Sequence, residues 1–518
     1  MRKYPIGQQY FRGIRERGFV YVDKTRLIHT LIESGDYYFL SRPRRFGKSL
    51  LLSTIAEIFS GSKELFQGLW IEDHWNWEQK HPVIHIGLSS INYHERGLEE
   101  ALSRELNKIA LQLNLQLQEE NLKDKFRELI ENASLKGKVV ILIDEYDKPI
   151  IDYLDDPARA EINKQVFKEF YSMLKDAGKY IRLLLITGVS RFSTVSIFSD
   201  MNHLRDITLS PAYATITGIT QEELESNFAE EINAQQKDNP LILEELKRWY
   251  NGYSWNSGID TVYNPFALLC YMDAGVFQNY WFETGTPTFL IKEAHSNPAF
   301  AFLEEQLKVG NEALNDLFGK TNAGAGWEHM NPVTLMFQTG YLTIKSYDNT
   351  TELYTLGYPN REVKVSVLTW LVSAYSGRKL GRVRPTVYEL GNAFTSNDIP
   401  KVIQIIDTLF STIPNPLWIG ARESFFHGLL HNTFQLLNIN VESEAHSSNG
   451  RADMIVKTPT HIYTLEFKLD GSAAEALEQV MQKGYMRSYQ LDPRQKIAVG
   501  INFSSAKRQV EGYEIKEE

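Results

Sequence analysis

One cysteine, Cys270, among 518 residues leaves no intrachain disulfide to hold this chain together. That usage suits a reducing cytoplasm, and Cys270, inside the apolar run 266–271, reads as a small core residue. Also missing is any uninterrupted apolar stretch near the ~18 residues of a membrane span. Residues 1–10 carry no apolar core of a signal peptide. A soluble, cytoplasmic protein with no membrane partner is therefore expected. Positive charge is not in excess: 55 Lys and Arg stand against 65 Asp and Glu, a formal net charge of −10. This argues against a protein that coats nucleic acid by bulk attraction, while leaving room for a local basic surface. No internal repeat and no low-complexity segment is found. What remains is ordinary globular material, 43% hydrophobic and 23% charged. It is too long for one core, so two or three domains are expected.

Residues 37–40 (YYFL) are short, aromatic and apolar, the pattern of a buried strand, and residues 50–59 have the length and regularity of a helix. Between them runs Arg42-Pro43-Arg44-Arg45-Phe46-Gly47-Lys48-Ser49. Strand, loop and helix in that order form the context of a phosphate-binding loop. Backbone N–H groups from Gly47 onward favour phosphate oxygens, Lys48 supplies a positive charge and Ser49 can ligate Mg²⁺. Arg42 stands where the first glycine of G-x-x-x-x-G-K-[ST] would fall, and Pro43 removes one backbone donor. Arg42, Arg44 and Arg45 are expected to compensate by charge.

Downstream, residues 138–145 (KVVILIDE) form an apolar strand that ends in two carboxylates. In an ATPase this arrangement puts Asp144 on the Mg²⁺ shell and lets Glu145 polarise the attacking water. The blander reading is a solvated pair at a strand end. A further strand, 182–188, leads to Thr187 and then Arg191, polar groups placed to sense a γ-phosphate. Residues 82–88 supply another strand between the two nucleotide motifs. Strands alternating with helices imply an α/β domain, a parallel sheet with helices on both faces. From about residue 219 to 284 the pattern reads as a helical lid. Within it, the basic and aromatic residues 247–250 are read as a helix end with aromatics in the core, in preference to a nucleic-acid stacking platform.

A second constellation lies some four hundred residues later. Glu423 opens a stretch with apolar residues at helical spacing, residues 440–444 alternate as a strand, and 452–456 and 462–468 pair as a hairpin around Pro459. Glu466 and Lys468, two apart in a strand, project to one face. With Asp453 opposite, one small site would hold two carboxylates and an ammonium. Asp453 and Glu466 would bind Mg²⁺, with Glu423 extending the shell, and Lys468 would orient or deprotonate the nucleophile. For Glu466 and Lys468 alone, an ordinary surface pair is the simpler reading. Glu444 is read as structural.

Taken together, these segments resemble a bacterial AAA-ATPase-like family whose members carry a C-terminal PD-(D/E)XK nuclease superfamily domain. The resemblance rests on residues 21–25 (YVDKT), the 42–49 loop, 143–147 (IDEYD), 187–192 (TGVSRF), 249–253 (WYNGY), 263–266 (YNPF), 280–287 (YWFETGTP) and 338–342 (QTGYL). The family's loop also lacks the first glycine, and a family glutamine and tyrosine beside the nuclease site match Gln479 and Tyr485. The resemblance implies a P-loop NTPase domain over residues 1–218, a helical lid over 219–284, a mixed linker region over 285–380 and a nuclease-like α/β domain over 381–518. It implies ATP and Mg²⁺ as cofactors and nucleic acid, DNA first, as partner; a homo-oligomer is compatible with the sequence but not required by it. Expected functions are ATP hydrolysis and phosphodiester cleavage under nucleotide control, or, as the alternative, a nucleotide-operated binding switch whose nuclease-like domain is inactive.

Overall fold

The computed structural model of the chain describes residues 2–517 apart from 154–155, 192–197, 199–200, 202, 284–306, 316–330, 415–416, 418–422, 438–441 and 446–452. The described residues divide into two compact units: one comprises the chain up to 285 together with 305–363, the other begins at 364.

The first unit is built on five parallel strands. They are β1 (Tyr37–Ser41), β2 (Val83–Gly87), β3 (Val139–Asp144), β4 (Ile181–Gly188) and the short β5 (Arg205–Asp206), in the spatial order β2-β3-β4-β1-β5. β3 is buried at every position, as a strand covered on both faces must be. Its side chains alternate between two cores. Ile141 and Ile143 face one side with Phe39, Ile84 and Ile186, while Val140 and Leu142 face the other with Tyr38, Leu40 and Leu185.

Helices close each face. On the second face lie α1 (Thr25–Ser34), through Ile28, Leu31 and Ile32, and α2 (Lys48–Ser60), through Leu51, Leu52, Ile55 and Ile58. The first is covered by α3 (Leu98–Gln112), α4 (Leu122–Ser134) and α5 (Pro157–Ser172). Each buried Leu or Ile contributes about 1.5–3 kcal/mol of burial.

The strand order carries one point that chain order hides. The strand at residues 82–88 falls between the two nucleotide motifs in sequence, yet β2 sits at the sheet edge, outside β3. The strand standing between the phosphate loop and the carboxylate pair is β4, which pairs with β1 on one side and β3 on the other.

Beyond the sheet, α6 (Gln221–Asn227), α7 (Ala229–Gln236), α8 (Ile242–Tyr250) and α9 (Pro265–Ala274) occupy the region expected as a lid. Thr220 and Glu223 form a reciprocal capping box at α6, and Asn264 caps α9 ahead of its first-turn proline. The segment expected as a separate linker is divided. Its described residues 307–315 and 331–363 belong to the first unit and contain α10 (Pro332–Thr339) and an antiparallel sheet of β6 (Leu307–Val309), β7 (Thr343–Asp348) and β8 (Leu353–Gly357), ordered β6-β8-β7.

Helix α11 (Arg361–Ser376) begins at the end of the first unit and continues into the second. That unit also holds α12 (Leu380–Thr395), α13 (Ile399–Ser411), α14 (Glu423–Leu437) and strands β9 (Glu442–Ala445), β10 (Met454–Lys457), β11 (His461–Leu469), β12 (Gln495–Ser504) and β13 (Gln509–Glu517). The sheet runs β13-β12-β11-β10-β9 and is mixed, with β11 and β12 parallel and the other pairs antiparallel. Parallel neighbours need a crossover, and α15 (Ala473–Lys483) provides it. It lies so close to β12 that a Cβ on Gly500 would stand 2.3 Å from the Ala473 carbonyl oxygen. Among the described residues no helix is long and apolar enough to cross a membrane.

Candidate functional site

In the first unit β1 delivers the chain to the loop, where the Arg42 amide donates to the Gly188 carbonyl at the tip of β4 (3.1 Å). Arg45 and Gly47 both adopt positive φ, 69° and 91°. The left-handed Gly47 turns the backbone directly into α2, whose first residue is Lys48. No side chain caps that helix, so its leading N–H groups are not taken by a side-chain acceptor there. The Lys48 amine is buried and donates to the carbonyls of Arg42 (2.8 Å) and Pro43 (3.0 Å), drawing the loop around itself. Burial pushes its pKa down, opposed by Asp144, Glu145 and Asp147.

Those carboxylates come from the end of β3. Asp144 is 7% exposed and accepts from the Thr187 hydroxyl on β4 at 2.7 Å. Glu145 has φ 54°, a conformation a side chain of its size rarely holds. It is fixed by its neighbours, the Tyr146 amide donating to the Thr187 carbonyl and the Lys148 amide to the Glu145 carbonyl. Asp147 is buried and accepts from the Val189 amide (3.0 Å), the Ser190 amide (2.7 Å) and the Ser190 hydroxyl (2.7 Å). Burial raises its pKa, and the Ser190 bonds and Lys48 hold it down.

A cavity of about 410 Å³ opens over these groups, walled by Arg44, Arg45, Lys48, Ser49, Glu145 and Asp147, with Pro265 and Phe266 of α9 bordering it as well. Beside it is an apolar recess of about 90 Å³, formed by Val20, Val22, Phe46, Leu50 and Ile219 among others. Thr217 lines the recess, and its hydroxyl is buried with no hydrogen-bond partner among the described residues.

Lys48, Ser49, Gly47, Arg45 and Glu145 thus share one cavity, and Asp144 lies behind it on Thr187. Neither Thr187 nor Arg191 is part of the cavity wall. The Arg191 guanidinium is engaged by Asp206 (Nε to Oδ2, 3.0 Å), and its amide donates to Gln338. Arg42 also departs from expectation. It is not part of the cavity wall; its guanidinium is fully buried, donating to the carbonyls of Ser41 (2.8 Å), Thr208 (2.8 Å) and Tyr213 (3.2 Å). It lies 4.2 Å from the centroid of the Trp255 ring. Burial holds its pKa down to about 9. The first-glycine position is therefore an anchor.

Other supports of the loop are invisible in the local sequence because they come from distant residues. Phe46 packs edge-on against Tyr253 and Trp255, and the Trp281 indole donates to the Arg44 carbonyl at 3.0 Å. Only their place in aromatic-rich motifs hints at them.

In the second unit the hairpin expected at residues 452–468 is present as β10 and β11. Asp453 stands just before β10, and its Oδ2 accepts from the Phe467 amide (2.9 Å) while its own amide donates to Glu466 Oε2 (3.3 Å). Glu466 is 3% exposed, and its Oε1 accepts from the Gln479 amide nitrogen on α15. Burial, then the Asp453 charge, pushes its pKa up to about 7, and Lys468 and Lys483 oppose the rise. The Tyr485 hydroxyl pKa is raised by burial and by both carboxylates, against its hydrogen bond with Gln479. Asp453, Glu466, Lys468, Gln479 and Tyr485 are thus brought together. Glu423 opens α14, but its side chain lies outside the described residues, as does that of Glu444. Among the described residues no group of three His, Cys, Asp or Glu side chains is arranged to hold a metal. The Asp453–Glu466 pair is a hard-oxygen donor set whose mutual repulsion a divalent cation would relieve, so it fits Mg²⁺.

Comparison with known proteins gives three results. Residues 5–198 match the family model described as predicted AAA-ATPase, and residues 421–513 match that of the PD-(D/E)XK nuclease superfamily. The chain is 36% identical over 527 residues to the "uncharacterized protein in vnfD 5′ region" of Azotobacter chroococcum mcd 1, covering 99% of each chain. No solved structure matches.

Proposed function

Since this chain belongs to the family of predicted AAA-ATPases that end in a PD-(D/E)XK nuclease superfamily domain, we propose that it binds and hydrolyses ATP in the first unit and cleaves nucleic acid in the second, with nucleotide state governing cleavage. The observation that carries the reading is the pair of constellations: a lysine at a helix start facing carboxylates across an open cavity, and two close carboxylates with a lysine on one strand face.

In the first unit the phosphates lie along the α2 N-terminus, and Lys48 exchanges the Arg42 and Pro43 carbonyls for phosphate oxygens. Ser49 and Asp144 would hold Mg²⁺, and Glu145 would take the proton of the attacking water. The apolar recess receives the base, with the Thr217 hydroxyl as an uncommitted side-chain polar group among the described residues. Thr187 acts through Asp144, whose carboxylate it orients. Arg191 would reach the γ-phosphate only on leaving Asp206.

In the second unit Asp453 and Glu466, with Glu423 as a further candidate, would hold Mg²⁺, which when bound would polarise the scissile phosphate and lower the pKa of water. Gln479 keeps the Glu466 carboxylate in place. Lys468 positions or deprotonates the nucleophile and offsets the charge that develops on the phosphate. DNA is the first substrate to test.

The test is Mg²⁺-dependent cleavage of labelled DNA and RNA, with and without ATP, by wild type, Lys468→Ala and Lys48→Ala. Scission should vanish in Lys468→Ala, and its ATP dependence should vanish in Lys48→Ala. No scission of either substrate by wild type would refute the nuclease reading. ATP-dependent scission unchanged in Lys48→Ala would refute nucleotide control.

A further inference from the structure

The cavity has two distinguishable ends. Near the apolar recess, the two share Pro5, Gly47, Leu50, Pro265 and Leu269; Glu145, Asp147 and Lys148 belong to the cavity alone. A nucleotide with its base in the recess therefore runs its phosphates past Gly47 and Lys48 and points the last of them toward Glu145 and Lys148. That end is rich in negative charge, with Asp144, Glu145 and Asp147 all acting on the buried Lys48. A terminal phosphate arriving there meets these carboxylates, so a further cation on that wall favours it beyond Lys48 and the Mg²⁺ proposed above.

Lys148 is placed to supply it. It opens the short helix Lys148–Ile151, and its side chain is 33% exposed. Its amine rests on Asp152, at 2.7 and 3.1 Å from the two carboxylate oxygens. An i,i+4 pair of this kind contributes little by itself. Asp152, however, is held independently of Lys148. The hydroxyl of buried Tyr93 donates to it at 2.7 Å, and His94 Nε2 lies 3.5 Å away. His94 in turn bonds the Tyr153 hydroxyl (2.8 Å), and Arg159 donates to the His94 carbonyl (3.1 Å). Asp152 is thus a fixed acceptor set back from the cavity, while Lys148 borders it. If the amine moves, Asp152 keeps its Tyr93 bond.

We infer that Lys148 is a second phosphate-binding lysine of this site and selects a nucleoside triphosphate over a diphosphate by moving its amine from Asp152 to the terminal phosphate. The inference rests on the reading of the cavity as a nucleotide site. A diphosphate ends one phosphate short and leaves Lys148 on Asp152. The bond from Lys148 to the terminal phosphate is a charge-assisted hydrogen bond, on the order of ten- to a hundredfold in affinity.

The experiment is calorimetric titration of the full chain with ADP and with a non-hydrolysable ATP analogue, both with Mg²⁺. Wild type should prefer the analogue. Lys148→Ala should lose on the order of ten- to a hundredfold for the analogue and leave ADP affinity within about twofold. Lys148→Arg should restore the preference, and Asp152→Asn should retain it. An unchanged thermal melt of nucleotide-free Lys148→Ala separates the effect from damage to the fold. Equal loss for both nucleotides, or an unchanged ratio, overturns the inference, as does a wild type that binds both equally. A wild type that binds neither overturns the nucleotide reading itself.

Discussion

Replacing Glu362 with glutamine should make the protein progressively more stable relative to wild type as pH rises from 5 to 8. Glu362 is 1% exposed and accepts from the backbone amides of Trp281 (2.6 Å) and Phe282 (3.3 Å) through one oxygen, Oε1. Burial, with a smaller push from Glu283, lifts its pKa from 4.5 to about 8 despite those two bonds. The folded protein therefore keeps a proton that the unfolded chain releases above about pH 4.5. Stability from this group is complete below that value and declines as pH climbs through 8. At about 1.4 kcal/mol per pH unit the whole window is worth roughly 5 kcal/mol, of which the interval from pH 5 to 8 carries roughly 3.5. Glutamine keeps the accepting oxygen and has no proton to lose. Urea unfolding of the first unit, followed by tryptophan fluorescence at pH 5, 6, 7 and 8, should show the variant's advantage growing by roughly 2–4 kcal/mol. Parallel curves for the two proteins would show that Glu362 is ionised in the fold and would refute the argument.

Arg42→Ala should destabilise the first unit by about 3–5 kcal/mol, since it strands three carbonyls and opens a void under Trp255, with the unfolding of the second unit unaffected. Gly500→Ala should cost about 1–3 kcal/mol in the second unit and lower cleavage, because the added methyl pushes α15 and with it Gln479 away from Glu466. Asp453→Asn should stabilise the metal-free protein by on the order of 1 kcal/mol and raise its melting temperature, relieving Glu466. The same variant should lose the stabilisation that Mg²⁺ gives wild type in differential scanning calorimetry.

Wherever local pattern decides, the chain can be read directly. β3 is an apolar run closed by two carboxylates, and no packing arrangement makes KVVILIDE anything but a covered strand. The β10–β11 hairpin is equally open to reading, since two short runs around Pro459 have few other ways to pair. Arg42 is legible as a residue but not as a direction. Whether its side chain faces phosphate or core depends on Thr208, Tyr213 and Trp255, which only the assembled fold brings to it. The same holds for β2, whose place in chain order says nothing about which side of β3 it takes. Lys148 stands three residues past Glu145, yet its importance depends on the cavity and on Tyr93, some fifty residues earlier.

The double bracing of the phosphate loop, by Arg42 from beneath and by the Trp281 indole on Arg44, bears on how quickly a ligand can be accepted. A loop that stiffens only on contact must search for its shape during each encounter, and its affinity is diminished by the entropy of that search. Here the ordering is completed when the chain folds. Hydrogen exchange at the Arg42 amide, which donates to the Gly188 carbonyl, should accordingly be slow before any nucleotide is added and change little afterwards, so that the response to ligand is concentrated on the Lys48 and Lys148 side chains.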